Sequence, residues 1–573
     1  MFSKYWVRFW MFFICQGISL GMLFGQDLEQ LKDQKPYQLN GSIALGGSFY
    51  QARDISARRQ PFNWYLSGSP VLSVYGITIP FSLVISDQDR RFSQPFNQYG
   101  VSPYYKWITV HAGYRNLRFS EFTMNAVNFL GGGLELKPGK WRVGLMYGRL
   151  NRAVAEDSIM GASQYGYIRP VYRRMGYAAK LGYGTSAKYV DLLVFKAKDD
   201  TNSIAPVSLA SQVEPEENLA VGIKSQLGFL KNRLMVDLDA GASFLTRDLR
   251  KGSLLDSANN PSLRTISKYI SVNGSSGFFT GLQTSVGYHA GFAQIKAVYR
   301  RVDPGYRSLG AYFFQNDIEQ ITINSSFQVW QNKLAFNLSY GHSSDNLNKK
   351  RFATTNRQVY SANVNWLASS KVNVNLDYSN FGISQQKGIG DLFNDTTAMS
   401  VINSNVGLAL TYKPLQSEVQ SHQFSFSSYL QSTNDLNRFT EEFSEAKTWI
   451  SSLSYQWSLV PQKLNATASL SYNKTDLIDR EIVNISPSIY ISKLFLKDKL
   501  RATLSENLQI RESNREQDGY TSTTALTLAY RWKRHTFSYM GSYLANQYKA
   551  TSMGYGISEF SEMRSNLSYS ISF

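Results

Sequence analysis

Along most of this chain every second side chain is apolar. Trp141, Val143, Leu145 and Tyr147 alternate with Arg142, Gly144, Met146 and Gly148, directly after the turn-forming run Lys137-Pro138-Gly139-Lys140. Successive side chains of a strand point to opposite faces, so this is a strand with one apolar face, entered through a tight turn. The arrangement recurs as pairs of strands. Ile321, Ile323, Phe327 and Val329 lead into Gln331-Asn332, and Leu334, Phe336, Leu338 and Tyr340 lead out of it. Val372, Val374, Leu376 and Tyr378 are separated by Asn373, Asn375 and Asp377. Trp449, Leu453, Tyr455, Trp457 and Leu459 run into Val460-Pro461-Gln462, after which Leu464, Ala466, Ala468 and Leu470 resume the alternation. Runs of about ten to fourteen residues are long for soluble sheets, where five or six is typical, but they suit a tilted crossing of a bilayer.

The connections carry a second signal. Short turns at 137–140, 185–187, 230–232, 331–332, 368–370, 460–462, 497–499 and 533–535 alternate with longer polar stretches at 87–102, 151–170, 198–216, 245–278, 344–356, 383–401, 432–446 and 548–561. One end of the sheet therefore has tight turns and the other has long loops. A soluble sandwich has no reason to sort its loops this way, whereas outer-membrane barrels place short turns in the periplasm and long loops outside. The predicted fold is all-β: a transmembrane antiparallel β-barrel of about 26 strands, with 22 to 26 the range, even numbers being favoured. The count takes Arg115 to Thr123 as part of a strand.

Both ends of the chain agree with that compartment. Lys4 and Arg8 precede an apolar run from Phe9 to Leu23, the layout of a secretory signal peptide over residues 1–25, with Gln26 as the mature N-terminus. Cys15 is the only cysteine and leaves with that segment, which excludes disulfides and thiol catalysis in the mature chain. Residues 26–36 are expected to form a short periplasmic segment, and a single barrel to occupy 37–573, beginning near Tyr37 where Leu39, Gly41, Ile43, Leu45, Gly47 and Phe49 alternate. At the other end Leu567, Tyr569, Ile571 and Phe573 alternate with serines. This resembles the C-terminal signal by which the barrel-assembly machinery recognises its clients, and the expected location is the bacterial outer membrane.

Composition sharpens the picture in three ways. Mean hydropathy is −0.29 with 14% aromatic residues, as expected where apolar side chains occupy one face of each strand rather than continuous spans. A barrel this large has a lumen too wide for its own wall side chains to fill. Only about ten mature residues precede the first strand, too few for a plug domain, so the expected obstruction is an inward-folded loop, chiefly 245–278, or a partner chain. Finally, the sequence holds 60 Lys and Arg against 42 Asp and Glu, and loss of Lys4 and Arg8 leaves a net charge of +16. Arg142, Lys296, Arg300, Arg173, Arg174, Arg301, Lys349, Lys350 and Arg351 are candidate lumen or rim residues. They favour anionic partners: permeating anions, lipopolysaccharide phosphates or an acidic protein. Nucleic acid is excluded by secretion and by the lack of a binding motif.

No catalytic or cofactor signature is present. His111, His289, His342, His422 and His535 are dispersed, with no HExxH, no metal-ligand spacing and no GxSxG. Gly131-Gly132-Gly133 is not followed by GK[ST], and is expected to mark a bend, a bulge or a close backbone approach. The stretch His111-Ala112-Gly113-Tyr114-Arg115-Asn116-Leu117, through Phe129-Leu130-Gly131-Gly132-Gly133-Leu134-Glu135-Leu136, to Met146-Tyr147-Gly148-Arg149 resembles porin-like members of the large outer-membrane barrels of Bacteroidota. Asp157-Ser158-Ile159, Asp256-Ser257-Ala258 and Asp395-Thr396-Thr397 resemble that group's short O-glycosylation motif. The resemblance favours a porin-like channel, and the lack of catalytic and cofactor signatures makes the expected barrel non-enzymatic and without cofactors. The alternative is an accessory subunit of an outer-membrane assembly, secretion or uptake complex, with stable protein partners and a lumen blocked by loops or by one of them.

Overall fold

The computed structural model describes residues 36–87, 98–156, 169–208, 211–253, 261–311, 315–389, 393–394, 396, 398–548 and 559–573. The signal segment and the three glycosylation-like triplets lie wholly or partly outside these residues.

Thirty strand segments join into one sheet. Three crossings are each broken in two, at Gly41, at Ser69-Pro70 and at Ser102-Pro103, and the two-residue piece Gly310–Ala311 lies off the wall. What remains is a closed antiparallel barrel of 26 strands. Closure joins the first long strand segment, Ser42–Arg53, to the last, Glu559–Ser572, in unbroken register from Ser42↔Ser572 to Arg53↔Ser561. Nothing in hydrocarbon can pair a free strand edge, so this seam is what allows the sheet to span a membrane. The final residue takes part, Phe573 donating its N–H to the Gly41 carbonyl at 2.9 Å.

Alternation sorts the side chains as the sequence predicts. Trp141, Leu145 and Tyr147 are exposed on the outer face, while Arg142 bonds inward and Gly144, Met146 and Gly148 are buried. Leu45, Leu192, Leu376, Leu470 and Leu567, spread around the wall, are also exposed outside. The outer surface is thus an apolar belt and the barrel is a transmembrane one. Register is fixed strongly, because a slip of one residue would carry Arg142 into the bilayer at a cost of about 2–4 kcal/mol near the midplane.

The ends sort as well, with two additions. All twelve connections at one end are turns of two to four residues, including 75–76, 106–107, 291–292 and 417–419, which lacked a clear turn signal. The thirteen connections at the other end include most of the long ones. Two of these are nevertheless tight, 478–480 and 514–515, the latter with Asn514 and Arg515 both at positive φ, as a two-residue hairpin requires. Arg115 to Thr123 is not one strand. The strand Ile108–Arg118 ends there, and residues 119–123 turn into the lumen before Met124–Leu136 begins.

Single-cysteine variants test the facing, since no cysteine follows residue 25. L145C and L192C are expected to react with a lipid-soluble maleimide, and S361C, on the inner wall, only with a water-soluble one. The inverse pattern would contradict the register.

Candidate functional site

The site is the lumen, and its two arcs differ. Twenty-six strands about 4.8 Å apart and tilted by about 40° make a round barrel about 50 Å wide between backbones. Over the arc from Ile108 to Val302 that space holds a folded wedge.

The wedge begins as a five-residue connection, Phe119–Thr123, closed by Phe119 N–H on the Met124 carbonyl at 2.9 Å. Instead of rising above the rim it bends inward, and Ser120, Phe122, Thr123 and Met124 are almost completely buried. Register explains why it fits. Gly222, Gly241 and Gly281 stand side by side on three adjacent strands, all on the inner face. A Cβ on Gly241 would lie 2.5 Å from Phe122 Cβ, one on Gly281 2.5 Å from the Phe122 ring, and one on Gly222 3.0 Å from Thr123 Cγ2. Those three glycines leave a trough, and the wedge lies in it.

A second connection, residues 303–317, closes over the first. Tyr306 Oη donates to the Phe122 carbonyl at 2.5 Å, and Ser308 Oγ donates to that of Thr123. Gly310–Ala311 then pairs in parallel with Met124 to Ala126. Asn218 on the wall fixes this latch, accepting Leu309 N–H at 3.1 Å and donating to Ser243 Oγ at 2.7 Å. Tyr306 is fully buried, and burial, with Asp239 adding to it, pushes its phenol up, so it stays a donor at any physiological pH. Around the pair Leu117, Val127, Phe129, Met146, Leu193, Phe195 and Leu309 form an apolar core inside the barrel. Each such side chain contributes roughly 1.5–3 kcal/mol when fully buried.

Charged groups hold the exposed side of the wedge. Asp239 accepts from Ser120 Oγ and, at 3.3 Å, from Glu121 N–H, and Arg300 reaches Glu121 at 2.7 Å. Of the sequence candidates, Arg300 is the one placed against the wedge. Arg142 makes a paired contact with Asp191 at 2.7 and 3.0 Å, and Arg174 one with Asp199 while also reaching Glu216 at 2.9 Å. Lys296 lies 3.3 Å from Asp237 on the inner wall. Arg173, paired with Asp200, is exposed at the loop end of its strand, and Arg301, 3.7 Å from Glu319, points outward. Lys349 and Lys350 are exposed in the 345–352 connection, and Arg351 lies 2.9 Å from Asp317. The candidate bases Arg142, Arg174, Lys296 and Arg300 are therefore each matched by an acid, which weakens the field they present to a passing anion. Among the C-terminal residues, Leu567 and Tyr569 face outward at the closing seam, with Tyr569 Oη 2.7 Å from His535 Nδ1.

The opposite arc is lined differently. From Ser326 through Ser361, Asn375, Asn405, Ser427, Ser452, Ser471, Ser488, Asn507 and Thr523 to Ser568, inward positions are mostly hydroxyls and amides. They bond to one another across strands, as Asn363 does to Asp377 at 2.6 Å and Ser469 to Ser488 at 2.6 Å.

In 245–278, of which residues 254–260 lie outside the described ones, the described residues do not build the wedge, which is formed by Phe119–Thr123 instead. The described part of that segment anchors on the outer parity of the rim, where Ser271 N–H donates to Glu217 at 3.1 Å and Lys196 Nζ to the Tyr269 carbonyl at 2.5 Å. It also contains the short helix Pro261–Ile266. Sequence reasoning missed Phe119, Phe122, Thr123, Tyr306 and Ser308. A usable signal was present in the inward-parity glycines of three consecutive strands. Gly131 marks a close backbone approach, as a Cβ there would lie 2.1 Å from the Tyr147 carbonyl.

One trio has the order of a hydrolase triad: Ser102 Oγ is 2.8 Å from His111 Nδ1, and His111 Nε2 is 3.8 Å from Glu135. The second distance exceeds hydrogen-bonding range. Oxyanion donors are also lacking next to the serine, since Ser102 N–H is held by the Pro80 carbonyl and Pro103 has none. The trio ties strands together. Among the described residues no cluster of His, Cys, Asp or Glu suits a metal ion.

No protein-family model and no curated protein sequence matches the chain. Solved structures similar to it include the translocation pore of the P pilus usher PapC, at 10% identity over 93% of this chain and 99% of that one, with a TM-score of 0.35. Others are Acinetobacter baumannii OccAB2, at 11% over 63% and 93% with 0.31, and Pseudomonas aeruginosa OccK8, at 12% over 61% and 96% with 0.31. The closed 26-strand antiparallel barrel with its apolar outer belt is itself the architecture of a large bacterial outer-membrane β-barrel.

The glycine trough makes a specific prediction. G281V places methyl groups where the Phe122 ring lies, and such overpacking typically costs 1–3 kcal/mol, about enough to expel a short connection. Trypsin added to outer membranes should then cut after Arg118 in G281V but not in the wild type. G287V, where a Cβ meets nothing closer than 3.9 Å, should behave as wild type.

Proposed function

We propose that this protein is a non-enzymatic outer-membrane channel, narrowed on one side by the latched wedge, through which small uncharged polar solutes diffuse along the hydroxyl- and amide-lined arc. The observation that carries this reading is the inward fold of Phe119–Thr123 under the 303–317 latch. A connection packed against the inner wall and sealed by its own apolar core serves as a permanent constriction. It would be superfluous in a barrel whose lumen a partner fills.

The opposite arc supports the choice of solute. Hydroxyls and amides both donate and accept, so they exchange hydrogen bonds with water and polar solutes at little net cost, without the strong binding that would slow passage. Mutual neutralisation of Arg142 with Asp191, Arg174 with Asp199 and Lys296 with Asp237 weakens the pull of these bases on anions within the lumen.

Planar-bilayer recording tests the proposal. The purified wild-type chain should form stable channels, and the double variant Y306F/S308A, which removes both latch hydroxyls, should raise single-channel conductance or make it noisy. Deleting residues 120–122 should raise it, the freed cross-section being filled by water. Absence of conductance in the intact chain, unchanged by the deletion, would contradict a channel role.

A further inference from the structure

The chain's positive charge is not spread evenly. The twelve short turns together carry thirteen Lys and Arg residues against two acids, Glu418 and Asp498. The thirteen connections at the opposite end carry nineteen bases and nineteen acids. Most of the chain's net charge therefore sits in one ring at the periplasmic mouth. Outside that ring lies a tryptophan belt. Of the eight tryptophans after residue 25, six (Trp107, Trp141, Trp330, Trp366, Trp457 and Trp532) lie within three residues of a short turn.

Tryptophan collects at the headgroup level of a bilayer, where its ring meets apolar chains and its N–H meets water. The lysines of the ring lie at that same level. Lys533 Nζ sits 5.9 Å from the Trp532 ring and Lys106 Nζ 5.3 Å from Tyr105, and just inside the strand Glu481–Phe495 Lys493, not itself a turn residue, lies 5.3 Å from Phe495. Trp532 and Phe495 are exposed on the outer face. These ammonium groups are draped along the outside of the barrel rather than gathered over its opening, and long basic side chains at such a boundary extend to phosphates.

We infer that the periplasmic turns form a binding ring for the phosphate groups of anionic phospholipids in the inner leaflet of the outer membrane. Lys106, Lys140, Lys333, Lys463, Lys497 and Lys533 are its members on six different turns. Coulomb attraction to anionic headgroups is additive around such a ring and falls as salt rises.

The test is native mass spectrometry of the barrel released from nanodiscs made of equal phosphatidylglycerol and phosphatidylcholine. The wild type should retain phosphatidylglycerol over phosphatidylcholine by about fivefold or more, and high salt should reduce that preference. K106Q/K140Q/K333Q/K463Q/K497Q/K533Q should lose it while keeping the heat-modifiable band of a folded barrel. If the variant does not fold, the salt response of the wild type decides. Equal retention of the two lipids by the wild type at low salt would overturn the inference. So would a preference that neither salt nor the substitutions reduce, or an acidic periplasmic protein that co-purifies with the wild type in place of any lipid preference.

Discussion

Three glycines decide what this barrel contains. Gly222, Gly241 and Gly281 fall on inward parity at the same level of three neighbouring strands, so the wall has a side-chain-free trough there, and Phe122 lies in it. A peptide segment in a water-filled lumen gains little from leaving the rim unless it buries apolar surface and keeps its carbonyls bonded. The trough provides the first condition. Tyr306 and Ser308, on a different connection, provide the second by donating to the carbonyls of Phe122 and Thr123. Neither connection would be stable alone, since each covers the polar backbone or apolar side chains that the other exposes.

This dependence divides the barrel into two physical regimes. The arc that houses the wedge has a packed apolar interior and matched charges, much like a small soluble domain set against a wall. The facing arc is a hydrated surface of hydroxyls and amides. A wide barrel need not be filled to be narrowed, because one well-anchored connection reduces the opening and leaves a polar lane beside it. The tight fixation of the wedge also distinguishes it from a loop that swings: its hydrogen bonds run to the wall at Asp239 and to the latch at Tyr306, on both of its sides.

Much of the fold was legible in the sequence because period-2 alternation survives wherever one face meets lipid. Trp141 to Gly148 and Val372 to Tyr378 each set their own facing, and turn residues such as Lys137-Pro138-Gly139-Lys140 set the strand ends. The wedge was not legible for the same reason. Phe119-Ser120-Glu121-Phe122-Thr123 reads as the continuation of a strand, with Phe119 and Phe122 flanking two polar residues, and its partners lie about 100 to 190 positions away. Inward folding is instead expected at 245–278, the longest stretch without strand alternation and one with a basic cluster at Arg247, Arg250 and Lys251, although neither feature creates a seat for a loop. The lumen bases were correctly typed as charged, but their neutralisation depends on cross-strand pairing such as Arg142 with Asp191, which only the register reveals.

The central claim is that Phe119–Thr123 is seated inside the barrel against its wall, and the most direct measurement is a disulfide trap between wedge and trough. A Cβ at position 281 would lie 3.5 Å from Phe122 Cγ, so the Cβ positions at 122 and 281 are about 4 Å apart, the spacing a disulfide spans, and the chain has no cysteine after residue 25. Oxidising F122C/G281C in intact outer membranes should produce an intramolecular disulfide, seen as a mobility change that a reductant reverses, with neither thiol open to a water-soluble maleimide. Two free thiols that react with external maleimide under the same oxidation would place the connection outside the lumen and contradict the account.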